Sequence, residues 1–434
     1  MSKVLVFCID ALCACDIPYM EKMPHFGPFL KRAALVEKIR PVWPALTYCC
    51  HTSILTGCYV ERHGIVHNEN MHRGGHLGEP WFSMKRDVKV PTLLDRAREK
   101  GLTTCSLSWP VSGGADYDMN LPMIVPYGYT GYEPEQYLRH TATPALLDRY
   151  FYKHGRYLKG PDRSLDLFTM ASALDILEDY PQPDIMLIKM CDLDGARHTW
   201  GVHHEKVLEQ LRKHDEEFGS LMEALRRKGT LEETDVVILG DHGQTNVTDI
   251  LHLNVLFRQQ GLLRIRPDGS LDSYDALARS TGLCAYIELR DPADTALKER
   301  VRTLLESLKE DPRFALAYVL DREQAKARYH VDGPFDFIVE SRLPIAFGER
   351  MDLEDVYGVR YPGDHKVGPA THGGSPEREE LTAFAAAGPD IAPGVRIPLG
   401  NMVDEAPHHG QDAGLYHGRY RRTNHRRDVE MTCR

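Results

Sequence analysis

The nine residues Asp235–Gly243, DVVILGDHG, decide the fold: four consecutive apolar residues end on a glycine, and an Asp-His pair follows at once. A run without polar alternation must be buried on both faces, which is the condition of a strand inside a helix-covered parallel sheet. Three other stretches read the same way: VLVFCID at 4–10, TTCSLSW at 103–109 and DIMLIKMCD at 184–192. Between them lie helix-period stretches near Pro91–Lys100, from Ser164 to Asp179 and from Glu205 to Arg227. This alternation predicts an α/β chain with a doubly wound, mainly parallel sheet sandwiched by helices.

The pattern changes between 274 and 349, where LCAYIELR, a helix from Asp294 to Lys309, FALAYVL, a short helix and FDFIVES follow one another. We read a small inserted α+β subdomain there, a lid or wall over the site. The catalytic core then spans 1–273 and resumes over 350–406. The segment 407–434 is an irregular tail, with four His and six Arg against three acids. Codon arithmetic suggests a frame-shifted origin for it, through a base inserted near the codon of Pro407.

Bulk composition sets further bounds. With 434 residues, 42% hydrophobic and 27% charged, the chain is that of an ordinary globular protein. A net charge of −10 repels polynucleotides and anionic bilayers, so nucleic-acid polymers and membranes are not expected partners. The start MSKVLVFCID moves straight into a strand, and no apolar run reaches membrane-spanning length, so a cytoplasmic location is expected. Ten cysteines include no CxxC pair, and reduced thiols are the expectation.

In doubly wound sheets ligands collect at the carboxyl ends of strands, and Asp10, Asp194 and Asp241 lie at or just past three such ends. Asp194 and His198, four apart, share one face of a helical turn. His242 follows Asp241 in a glycine-flanked turn, and His372 lies in the glycine-rich THGGSPE. Taken alone, D-x-x-x-H is ordinarily a solvated helix face; the conjunction of four such elements points to ligands for two divalent ions. Imidazole with carboxylate suits zinc first and manganese second. Thr47, between VWPAL and YCCHTSILTG, reads as a strand–turn–helix junction, where a threonine is ordinarily an N-cap and can also be a nucleophile.

With Asp10 in FCID, Thr47 in TYCCHTSILTG, Asp194 and His198 in DLDGARHTWG, Asp241 and His242 in DHG and His372 in HGGSP, the chain resembles the type I phosphodiesterase and nucleotide pyrophosphatase branch of the alkaline phosphatase superfamily. The resemblance covers roughly Val4 to Pro407. It implies one ion on Asp194, His198 and His372, a second on Asp10, Asp241 and His242, and Thr47 as nucleophile and bridging ligand between them. It further implies hydrolysis of phosphodiester or phosphoanhydride bonds through a phosphothreonine, on a small phosphorylated, nucleotide-like substrate. Cys50 stands where the family pattern has Asn, which leaves Cys50 and the Tyr48 backbone N–H as the substrate-contacting candidates; His51 is expected to support the loop.

Two divalent ions, three carboxylates and an ionised Thr47 sum to neutrality, which favours a diester monoanion over a monoester dianion unless a further cation reaches in; Arg197 is the candidate within the motifs. A phosphonate C–P hydrolase or phosphomonoesterase on the same scaffold, or an inactive metal-bound binding protein, are the competing readings. Trp43, Tyr48, Trp109, Tyr127, Tyr129 and Tyr132 are candidate stacking residues against the alternative of core packing. His203, His204, Asp364 and His365 are further, weaker candidates as ligands. The sequence does not determine the oligomeric state.

Overall fold

The central sheet has nine strands among the described residues, and its first six in chain order are β1 (Lys3–Ile9), β2 (Ala34–Arg40), β3 (Thr104–Leu107), β4 (Met119–Leu121), β5 (Ile185–Met190) and β6 (Thr234–Leu239). In the computed structural model, which describes residues 2–123, 134–161, 163–358 and 368–405, β1 lies at the centre between β5 and β6, parallel to both. Strands β3 and β4 extend the sheet beyond β5 in the same direction. On the other side the strand Thr382–Ala387 pairs antiparallel with both β6 and β2, and it alone runs against the rest of the sheet among the described residues. The chain is therefore an α/β protein with a large, mostly parallel central sheet. Tyr127, Tyr129, Tyr132, Asp364, His365 and the tail with its frame-slip reading lie outside the described residues.

The unbroken apolar runs are explained by two cores, one on each face. Phe7, Ile9, Met186, Ile188, Val236 and Ile238 point into one cluster, beneath the helices Leu165–Asp179 and Glu205–Lys228. Their neighbours Val6, Cys8, Leu187, Val237 and Leu239 point the opposite way, toward the helices Thr47–Thr56 and Leu93–Glu99. Alternation along each strand thus feeds both layers, and each fully buried aliphatic side chain contributes about 1.5–3 kcal/mol.

One expected strand is absent. The residues of VWPAL form a turn instead, because Pro44 offers no N–H to a ladder and the Ala45 N–H donates to the Gly374 carbonyl. Two strands that the apolar-run criterion passes over, β2 and β4, extend the sheet on either side; β4 is its edge, whereas β2 is flanked in turn by the short strands Arg396–Ile397 and Gly400–Asn401. β2 is continuously buried only at its start and loses burial toward its end, where Glu37, Lys38 and Arg40 are exposed.

Residues 276–341 hold a four-stranded antiparallel sheet, in the order Ala276–Ser280, Cys284–Leu289, Phe337–Ser341, Leu316–Asp321, with helices Thr295–Glu310 and Arg322–Tyr329. Its apolar face joins one cluster with Leu253, Val255, Phe257 and Leu263. The turn between its first two strands is pressed against the loop after His372. Gly282 and Gly373 both have positive φ, and a Cβ on Gly373 would lie 1.8 Å from the Thr281 carbonyl oxygen. Only glycine fits that approach. No helix among the described residues is long and apolar enough to cross a membrane.

Candidate active site

The carboxyl ends of β1, β5 and β6 converge, as the switch-point rule requires. Asp10 directly follows β1, and the next residue, Ala11, adopts a left-handed backbone (φ 59°) that turns its N–H onto Asp241 Oδ1 at 3.0 Å. After β5 the chain enters the helix Asp192–Trp200, which carries Asp194 and His198 on one face. That helix is anchored by the buried Asp166 carboxylate, which accepts the N–H groups of Cys191 and Asp192 at 2.6 and 2.8 Å. Burial and the nearby Asp192 push the Asp166 pKa up to about 7.

Thr47 is the first residue of a ten-residue helix whose cap position is Leu46, so its hydroxyl is not spent on capping. All ten residues are buried, and the other Ser and Thr hydroxyls are satisfied locally: Thr52 and Thr56 each donate to the carbonyl four residues back, and Ser53 meets His63 Nε2 at 2.9 Å. The Thr47 Oγ1 instead stands 3.1 Å from His242 Nε2.

Three imidazoles point the same kind of atom inward. His198 Nδ1 donates to the Ala370 carbonyl at 3.0 Å, His242 Nδ1 to Gly243 at 2.9 Å and His372 Nδ1 to Ala45 at 2.8 Å. A carbonyl can only accept, so these contacts fix the Nδ1–H tautomer and leave each Nε2 lone pair as a ligand atom. His242 Nε2 lies 3.3 Å from Asp10 Oδ1 and 3.3 Å from Asp241 Oδ2. Asp194 Oδ1 lies 3.3 Å from His198 Nε2 and 3.8 Å from His372 Nε2, and accepts from Gln244 at 2.6 Å. The rings of His242 and His372 stack at 3.8 Å.

Two groups of possible ligand atoms result, Asp194 with His242 and His372, and Asp10 with Asp241 and His242, each within 4.8 Å of one another. The donor set fits divalent cations on a stricter ground. Asp10 Oδ1 and Asp241 Oδ2 are buried without a well-formed hydrogen bond, since the one donor near Asp241 Oδ2, His51 Nδ1 at 3.2 Å, is already given to the Thr47 carbonyl at 2.8 Å; this is a costly state for carboxylate oxygens unless a cation sits between. Burial and the adjacent Asp241 raise the Asp10 pKa well above the usual carboxylate range. Burial would do the same to Asp194, but His198, His372 and His242 hold it well below. Burial and the stacked His242 depress the His372 pKa, so that ring is neutral and ready to ligate at neutral pH.

The substrate-contacting candidates are placed differently from expectation. The Tyr48 N–H is already given to Asn68 Oδ1 at 3.0 Å, and its ring is fully buried, edge-on to Trp81. Cys50 is fully buried in the core behind the helix. Asn68, itself buried, is therefore a residue the sequence reading missed: with its carbonyl oxygen engaged by Tyr48, its amino group remains a donor beside the helix start. No spacing or strand-end signal marks it. His51 is fully buried, with Nδ1 on the Thr47 carbonyl at 2.8 Å and 3.2 Å from Asp241 Oδ2, a supporting position.

Arg197 does not reach the site. It is buried, with its Nη2 shared between the two Asp16 carboxylate oxygens at 2.7 and 2.6 Å, and its Nη1 contacts Cys13. A second missed residue supplies the cation instead: Lys189, fully buried near the end of β5, places Nζ 2.5 Å from Asp10 Oδ2. Burial alone would discharge this lysine, but Asp10, Cys191 and Asp241 reverse the effect and keep its pKa above the ordinary value. Trp43 and Trp109 are core residues. His203 and His204 are exposed, and His204 caps the helix Glu205–Lys228.

Comparison with known proteins converges on one group. The family model described as type I phosphodiesterase / nucleotide pyrophosphatase matches residues 4–363. The bis(5'-adenosyl)-triphosphatase ENPP4 of Bos taurus is 25% identical over 296 residues, covering 66% of this chain and 54% of that protein. Ectonucleotide pyrophosphatase/phosphodiesterase family member 1 of Homo sapiens is 21% identical over 295 residues, 64% of this chain and 27% of its own length. The chain thus spans about half or less of these relatives. Among solved structures, murine ectonucleotide pyrophosphatase/phosphodiesterase 5 superposes with a TM-score of 0.60 at 16% identity, over 93% of this chain and 92% of that one. The same murine protein has also been solved as an inactive threonine-to-alanine variant in complex with AMP, again at a TM-score of 0.60 and 16% identity, over 93% of each chain.

Proposed function

The chain belongs to the type I phosphodiesterase and nucleotide pyrophosphatase family, and from that premise we propose that it hydrolyses phosphodiester or phosphoanhydride bonds in a small nucleotide-like substrate, with Thr47 as nucleophile. One observation carries the reading: the Thr47 hydroxyl lies 3.1 Å from His242 Nε2, the atom that itself stands 3.3 Å from both unpartnered carboxylate oxygens. A nucleophile and a ligand cluster share one point.

Asp194, His198 and His372 would hold one divalent cation and Asp10, Asp241 and His242 the other, zinc by the chemistry of the donor set. When bound, such ions acidify a hydroxyl and neutralise phosphoryl charge. Thr47 attacks phosphorus in line with the leaving oxygen, giving a phosphothreonine that water then cleaves. Asn68 donates its amino group to a phosphoryl oxygen, the role the sequence alone assigned to the neighbourhood of Cys50 and Tyr48. The inactive threonine-to-alanine variant of the murine relative supports the assignment of Thr47.

A second reading is favoured by Lys189. Its ammonium adds a positive charge to a site that is otherwise balanced, which improves the match to a monoester or phosphonate dianion. A panel of bis-p-nitrophenyl phosphate, p-nitrophenyl phosphate, a dinucleoside polyphosphate and phosphonoacetate, assayed with added zinc, separates the readings. Fastest turnover of the diester or anhydride is expected; preference for either dianion would replace the first reading with the second. Two bound metals without turnover of any of the four would reduce the protein to a binding role.

A further inference from the structure

Each carboxylate at the site is held from behind, but by donors of different charge. Asp194 receives the neutral amide of Gln244 at 2.6 Å, and Asp241 Oδ1 receives the backbone N–H groups of Ala11 and His242 at 3.0 and 2.9 Å. Asp10 Oδ2 receives an ammonium, Lys189 Nζ, at 2.5 Å. The other neighbours of Nζ are soft and uncharged, Cys191 Sγ at 3.0 Å and Met123 Sδ at 3.8 Å, so the charge of Lys189 is directed at Asp10. Both residues are essentially inaccessible to solvent, which leaves little water to screen the pair.

This arrangement dictates what the Asp10 end can offer a metal. With Oδ2 taken by Lys189, Asp10 presents only Oδ1; with Oδ1 taken by two N–H groups, Asp241 presents only Oδ2. Two carboxylates less one ammonium leave a single net negative charge, the same as Asp194 alone provides at the other end. A lysine bonded to a ligand carboxylate both withdraws electron density from it and repels a dication on its far side.

We propose that Lys189 is a resident cation that limits the affinity of the Asp10–Asp241–His242 position, so that the ion held there is the weaker and more exchangeable of two. This rests on the two-cation reading given under Proposed function. Outer donors ordinarily strengthen a metal site by orienting its ligands, an effect of about 10–100-fold. For a charged donor in a dry site, repulsion of the ion acts in the opposite direction and outweighs that gain.

Calorimetric titration of zinc into the metal-free whole chain tests the inference. The wild type is expected to take up two ions in a tight and a weak step, and Asp10→Asn to lose the weak one. Lys189→Met, by removing the charge repulsion, is expected to tighten the weak step by about tenfold or more, whereas Lys189→Arg, which keeps the charge, leaves both steps near wild type. If metal-free Lys189→Met is too unstable to titrate, its zinc-induced rise in unfolding midpoint should exceed that of the wild type. A weak step that is unchanged or weakened in Lys189→Met, an equal or smaller midpoint rise, or loss of the tight step in Asp10→Asn overturns the inference alone. Uptake of fewer than two ions by the wild type overturns the two-cation reading, and the inference with it.

Discussion

Thr47 Oγ1 is 3.1 Å from His242 Nε2, although 195 positions separate the two residues in the chain. The contact joins the start of a wholly buried helix to the turn after β6, and it places at the ligand cluster a threonine hydroxyl that, unlike those of Thr52, Ser53 and Thr56, is not committed to local bonding. Its consequences can be measured.

Thr47→Ala should lower turnover by on the order of a thousandfold or more while leaving zinc stoichiometry at two. Thr47→Ser should keep a measurable fraction of activity, since it retains the hydroxyl. Steady-state kinetics with metal analysis on the same samples checks both. Full activity in the alanine variant would remove Thr47 from the chemistry.

Removal of metal should destabilise the fold, because Asp10 and Asp241 are left facing one another with unpartnered oxygens. Returning zinc at about a thousandfold over its Kd should restore about 4 kcal/mol. His372→Ala should cut the bound zinc and shrink this gain. Thermal unfolding with and without chelator, followed by elemental analysis, reads the effect.

Asn68→Ala should reduce kcat/KM by about a hundredfold, in the range seen when one transition-state donor is removed. Zinc content should not change, because Asn68 belongs to neither ligand group. The Cys50→Ala variant, altered in the core behind the helix, should change stability more than kcat/KM. The opposite ranking would return the phosphoryl contact to Cys50.

Arg197→Met leaves Asp16 as a buried, unpaired carboxylate and should cost about 3–5 kcal/mol in denaturant unfolding. The ratio of diester to monoester turnover should stay constant, since Arg197 points away from the ligands. A changed ratio would mean that it reaches the substrate after all.

The pH dependence of stability has a traceable contributor in His63. Burial pushes its pKa from 6.5 down to about 3, and Ser53 and the Ile65 N–H occupy its two nitrogens. A histidine with a depressed folded pKa is protonated preferentially in the unfolded chain. Its stabilising effect is therefore present above pH 6.5 and lost at about 1.4 kcal/mol per unit as pH falls toward 3. Equilibrium unfolding of His63→Gln should show a shallower acid limb than wild type between pH 6.5 and 4.5; identical slopes would count against it.

Much of this architecture was legible before any coordinates. The apolar runs within 4–10, 184–192 and 235–243 read as strands buried on both faces, and a strand end has one place to deliver its next side chain. Strand-end position marks Asp10 and Asp241, and together with the four-residue spacing to His198 it marks Asp194; the fold brings all three into candidate ligand groups. Asn68 was not, because nothing local distinguishes a loop asparagine that satisfies a neighbouring N–H from one that solvates a turn. Lys189 does carry a signal in the sequence: a lysine inside IMLIKMC cannot face water, so it must meet a buried anion. Val42–Leu46 misled by composition, since apolarity there serves a turn interrupted by Pro44 rather than a ladder.

The close approach of Gly282 to Gly373 carries a warning for protein engineering. The turn between the first two strands of the four-stranded sheet donates its Leu283 N–H to the His372 carbonyl at 2.9 Å, and Thr281 and Cys284 grip the carbonyl of Gly373. One imidazole is thereby braced by a module that a designer would be tempted to trim or to exchange between relatives. Such a graft should first show itself as leaching of metal rather than as a change of substrate, unless the two glycines and the turn between them are transplanted as one piece.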